Sequence, residues 1–123
     1  MATLLVNTGK AIVTNYLNGG AATQPKYIAW GTGAGTTAST DTTLFTETGT
    51  RVAGTTSQQT TTTTNDTFQV IGTLTNTGGT TTYTNAGTFD ALTSGNLFVK
   101  GDFTGIALNT SDSIQFTIKV QFS

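Results

Sequence analysis

Glu47, Asp90, Asp102 and Asp112 are the side chains of this sequence best suited to do chemistry. Two carboxyl groups flanking a glycosidic bond can act as acid and base, so these four are candidates for a hydrolase. The commoner alternatives are missing, because the chain contains no His and no Cys. A disulfide framework, a Cys/His zinc site, a Ser-His-Asp triad and a Cys-His nucleophile are all excluded. Each of the four carboxylates falls at a turn or a strand end, where Asp ordinarily accepts hydrogen bonds from nearby backbone. The placement argues for structural carboxylates, and the expectation is that the protein is not an enzyme.

Other chemistry-bearing motifs are weaker. Gly31-Thr32-Gly33-Ala34-Gly35 has the glycine content that lets an anion approach backbone, but no long helix follows and the Lys-Ser/Thr of a phosphate-binding loop is absent. It reads as a turn. Asn65-Asp66 and Asp90 carry the oxygens that calcium takes, without the alternating Asp/Asn loop that gathers them, so solvated turn residues are expected and neither metal nor cofactor. Asn65-Asp66-Thr67 and Asn109-Thr110-Ser111 match the glycosylation acceptor pattern, which matters only in an exported chain. Tyr27, Trp30, Phe68, Tyr83, Phe89, Phe98, Phe103 and Phe116 could line a sugar-binding face. Core packing accounts for most of them, and Trp30 is the one it leaves open.

The elements that must position these residues follow from composition and periodicity. Thr makes up roughly a quarter of the 123 residues, and its β-branched side chain favours extended backbone. Charged residues are 9% of the chain and the net charge is -1. Such a chain has no basic stripe for phosphates, so no nucleic acid is expected as a partner. No apolar run approaches the length of a membrane span and no signal-peptide pattern opens the chain, so no membrane partner is expected and a soluble protein without a cleaved signal is. Sparse charge also favours association over life as an isolated monomer.

Residues 1–20 read as an N-terminal arm or short helix and residues 21–123 as a β-sandwich domain. Asn7 or Thr8 can cap a helix in which Ile12, Tyr16, Val13 and Leu17 share a side, ended by Gly19-Gly20; a strand through Ile12-Val13-Thr14 is the alternative. Tyr27 to Trp30 reads as a buried strand, Asp41 to Phe45 as one helical turn, and Arg51 to Ala53 and Thr60 to Thr64 as strands. Phe68, Val70 and Leu74 alternate with polar residues, and Asn76-Thr77-Gly78-Gly79 turns that strand into a hairpin with Thr80 to Asn85. Leu97-Phe98-Val99 follows another turn. In the last segment Ile114, Phe116, Ile118, Val120 and Phe122 all point one way, which predicts a strand central to the core. Short strands broken by Gly and Asn turns predict an all-β, single-domain β-sandwich or jelly-roll-like barrel.

Several segments carry a resemblance to a known family. Pro25 to Gly33, Asp41 to Glu47 with Arg51-Val52-Ala53-Gly54, Asn85 to Asp90 and Gly95 to Phe103 resemble small structural proteins of tailed bacteriophages, and among them the capsid decoration, or cement, proteins. The resemblance spans nearly the whole chain and includes no catalytic signature. It implies a homotrimer that binds the major capsid protein on the outer surface of the mature head, clamping neighbouring capsomers. It also implies synthesis in the host cytoplasm and residence in the virion. Related sequences include tail and fibre components, so a tail protein that binds a host-surface glycan is the alternative. Leu4, Leu5 and Val6 are the candidate capsid-contact residues, as an arm that adds to an edge or groove of the shell. The competing reading is that Leu4 to Leu17 covers the open end of the domain's own core.

Overall fold

The computed structural model describes residues 3–20 and 23–123. In chain order the elements are β1 (Leu4–Leu5), α1 (Asn7–Leu17), β2 (Tyr27–Gly31), β3 (Glu47–Ala53), β4 (Thr55–Gln59), β5 (Thr67–Thr75), β6 (Thr81–Phe89), β7 (Leu97–Leu108) and β8 (Ser113–Gln121). The strands form two antiparallel sheets, one ordered β1-β7-β6-β2-β3 and the other β4-β5-β8. This is the all-β sandwich with a short N-terminal helix that the composition predicts.

The small sheet shows how alternation builds the core. Val70 pairs with Ile118 and Leu74 with Ile114, so the two strands present their apolar side chains on one face. They meet Ile28, Trp30, Tyr83 and Phe98 of the large sheet. Trp30 stacks on Tyr83 with ring centroids 3.6 Å apart and turns its edge to Phe116. Thr73, Thr75, Gln115, Thr117 and Lys119 stay exposed, as their phase in the pleat requires. A second apolar cluster, Val6, Ala29, Leu44, Phe89 and Leu97, explains why β6 is buried on both faces. Leu44 reaches it from a strap, residues 32–46, that connects β2 to β3.

Lys100 holds that strap down. Its side chain is 1% exposed; Nζ donates to Asp41 Oδ2 and to Thr43 O, each at 2.9 Å, and lies 3.2 Å from the centroid of the Phe45 ring. Asp41 also accepts from the Ala38 N–H. The one helical turn expected at Asp41 to Phe45 is therefore absent, because the carboxylate is committed to Ala38 and Lys100 instead of to a helix N-terminus.

Three further expectations are corrected. Thr60 to Thr64 is a turn and no strand: Asp66 accepts from the backbone N–H groups of Thr61, Thr62 and Thr63, pulling the Thr run into a loop. β5 and β6 form no hairpin, since β5 pairs with β4 and β8 while β6 pairs with β2 and β7. The chain changes sheets at Asn76, which is buried and donates from Nδ2 to Gly79 O, Leu108 O and Asn109 O while accepting from the Tyr83 hydroxyl. A turn-rich sequence between two strands suits a corner as well as a hairpin, and local spacing does not separate them. Finally, of the five apolar residues expected to face the core from the last segment, Phe116 and Ile118 lie in the core and Ile114 and Val120 pack against it, as expected, but Phe122 lies beyond β8 at 46% exposure.

The N-terminal segment belongs to the large sheet. Leu4 and Leu5 pair with Lys100 and Val99, the Val6 N–H donates to Phe98 O, and α1 packs on β7. The helix is the predicted one and ends at Asn18 with Gly19 at φ 77°. Its start differs: Val6 is the N-cap with no side-chain cap bond. Thr8 donates its hydroxyl to Leu97 O, and the Asn7 N–H finds Ser39 O on the strap, so tertiary partners replace the expected cap.

Candidate functional site

None of the four candidate carboxylates is paired with another by a hydrogen bond; each has a local structural partner. Glu47 forms a bidentate pair with Arg51 at 2.8 and 3.0 Å, and Arg51 continues to Ala91 O and Ser94 O over the face of Phe89. Asp90 accepts from the Asn96 N–H and Asp112 from the Asn109 N–H. Asp102 accepts from the Thr37 hydroxyl and N–H, and these two bonds hold its carboxyl below the ordinary carboxylate range. Among the described residues no group of three or more His, Cys, Asp or Glu is placed to hold a metal. Asp66 accepts backbone N–H bonds, which lower its pKa, and serves as the organiser of a turn.

The Gly31 to Gly35 segment is likewise committed. The Thr32 N–H donates to Thr46 O and the Gly33 N–H to Phe45 O, so neither N–H is available to an anion. A Cβ on Gly31 would stand 2.3 Å from Phe45 O, which is why glycine sits there: two backbone segments run side by side without room for a side chain.

Of the candidate contact residues, Leu4 is 38% exposed, Leu5 is half-buried and Val6 is completely buried. Val6 fills the cluster beneath Leu44, the position expected if the segment covers its own core. Exposed apolar surface appears instead at the other end of α1. Leu17 is 82% exposed, and with Ile12, Val13, Tyr16, Pro25, Phe68, Phe98 and Phe122 it lines an open groove of about 290 Å³ between the helix and one end of the sandwich. From sequence Leu17 belongs to the helix's apolar side and has no contact role. Its signal was position: an apolar residue in the last turn, just before Asn18-Gly19-Gly20, has little of its own fold left to pack on.

A second depression, about 490 Å³, opens between β3 of the large sheet and β5 of the small one, with Trp30 and Tyr83 at its base. The aromatic residues considered for sugar binding do not form an exposed platform. Trp30, Tyr83, Phe89, Phe98 and Phe116 are buried, and Tyr27, Phe68 and Phe103 are partly buried. The burial of Lys100 has little local signal: it directly follows the apolar Leu97-Phe98-Val99 but precedes Gly101 and Asp102.

Comparison of the chain with family models, with curated proteins and with solved structures finds no match. Among the described residues, no helix is long and apolar enough to cross a membrane.

Proposed function

We propose that the protein is a virion structural component, a cement protein that binds the major capsid protein on mature heads as a homotrimer and strengthens the shell. The observation that carries this reading is the open apolar groove lined by Leu17 and Phe122, since exposed apolar surface of this kind is what a protein partner covers. Two further considerations accompany it. The candidate carboxylates are bound up in turns and an ion pair, and the reading takes up the resemblance to phage structural proteins expected from the sequence segments. A trimer engaging several capsomers at once turns modest contacts into strong attachment.

The contact residues are reassigned accordingly. Leu17 and Phe122 are the main capsid contacts, with Leu4 at a lesser place on the sheet edge, while Val6 acts through the fold. Co-sedimentation with expanded heads that lack this protein tests the assignment. Wild-type chain is expected in the head pellet, and Leu17→Ser with Phe122→Ser is expected to lower binding at least tenfold while leaving cooperative unfolding intact. Full binding by that variant rejects the groove as the contact surface. No binding by the wild type rejects the cement reading and favours a tail component.

A further inference from the structure

We infer that the depression between β3 and β5 is a binding site for a neutral saccharide, with the Trp30 indole N–H as a donor at its base. Trp30 as a whole is 2% exposed, and its Nε1, which donates to no described residue, is not among the fully buried unpartnered atoms, so the small accessible part of the side chain includes the nitrogen. Stacking on Tyr83 covers one face of the indole and Phe116 lies against it edge-on, so an aromatic platform for a sugar ring is not on offer. What remains is the ring edge. Gly49 lies beside it, and a Cβ there would stand 3.6 Å from Nε1, in contact with the nitrogen. At φ +75° that position suits glycine, and the missing side chain leaves the nitrogen approachable from the depression.

The lining fixes the ligand class. Thr48, Thr50, Thr73 and Thr77 face the depression, and the hydroxyls of Thr50, Thr73 and Thr77 make no hydrogen bond within the described protein. No Asp, Glu, Lys or Arg lines it, which disfavours phosphate, nucleotide or sialic acid. A ligand that satisfies an N–H donor and several hydroxyls without carrying charge is a polyhydroxylated neutral molecule. A volume of about 490 Å³ accommodates one or two pyranose rings.

This inference goes beyond the cement reading and does not depend on it. The chain has one Trp, so an isotope-labelled sample of the full protein gives a single indole N–H resonance that reports on the site directly. The probes are methyl glucopyranoside, methyl galactopyranoside and N-acetylglucosamine, each taken to about 100 mM to reach millimolar affinities, with N-acetylneuraminic acid as the charged comparison. A saturable shift of the indole resonance with at least one neutral sugar is expected. Thr50→Val and Thr73→Val, which keep shape and lose the hydroxyl, should each weaken it about three- to tenfold. An indole resonance unmoved by all three neutral sugars, or moved equally well by the acidic one, overturns the proposal. Unchanged affinity in both Thr variants also overturns it. Head binding with a silent indole rejects this site alone, whereas a sugar response without head binding rejects the cement reading alone.

Discussion

Asp41→Ala should damage the fold far more than Lys100→Met, although both remove the same ion pair. With Asp41 gone, an ammonium group 1% exposed keeps Thr43 O and the Phe45 ring in contact, and Asp102 as an opposite charge that is not hydrogen-bonded to it. Removing one partner of a buried pair costs about 3–5 kcal/mol, because the remaining charge stays desolvated. Lys100→Met keeps the aliphatic stem and removes the charge; the Asp41 side chain, 21% exposed, retains the Ala38 N–H and can turn to water. Replacement of a buried charge by an apolar group of similar shape is often close to neutral, so a loss of about 0–1 kcal/mol is expected. Urea titrations followed by Trp30 fluorescence measure both values. For a domain of this size the larger loss corresponds to a melting point lowered by about 10–20 °C. Equal losses in the two variants, or a larger one in Lys100→Met, would refute the argument that desolvation of Lys100 governs the strap.

Other outcomes follow from the same structure. Phe116→Ala removes a buried ring that meets Trp30 and Phe103 and should cost about 3–5 kcal/mol, while Gln115→Ala on the solvent face should cost little; equal thermal shifts would show that the faces of β8 are misassigned. Thr88 Oγ1 is buried without a hydrogen-bond partner, so Thr88→Val should stabilise the protein by about 1 kcal/mol, and a clear loss in the same melt would contradict this. Asp41, Asp66 and Asp102 all have folded pKa values lowered by their hydrogen bonds, the Ala38 N–H, the Thr63 N–H and the Thr37 hydroxyl being the leading ones. Their unfolded forms take up protons first as pH falls, so this stability is present above a pH of about 4 and is lost progressively below it. Melting points that stay level from neutral pH down to about pH 3 would contradict that assignment.

The sequence was most readable where burial and period coincide. Val70, Leu74, Phe116 and Ile118 sit on the predicted face because a one-residue slip would send them all to water. α1 was readable for the same reason through Ile12. The Thr run was not, since Thr60 to Thr64 carry no inside or outside preference, and one downstream carboxylate, Asp66, decides their shape. The sheet change at Asn76 depends on bonds to Leu108 and Asn109, more than thirty positions away, which local turn chemistry cannot reveal. At the candidate contact surface Leu4 to Val6 looked like a free arm because a short apolar run at a terminus has no period. The pairing of Leu5 with Val99 and the burial of Val6 are long-range facts. Trp30 could be placed in a strand, but which edge of its ring is left open depends on Tyr83, Phe116 and Gly49 together.

The most direct test of the cement reading is the thermal rupture of expanded heads that lack this protein, followed by release of their DNA with and without added purified chain. A ligand that binds the shell but not its dissociated subunits must stabilise the shell as occupancy rises. For a cement protein the rupture temperature climbs with added protein and levels off when sites fill, and it rises less with the Leu17→Ser, Phe122→Ser variant. A rupture temperature unchanged at saturating protein, with no chain recovered on the heads, would contradict it.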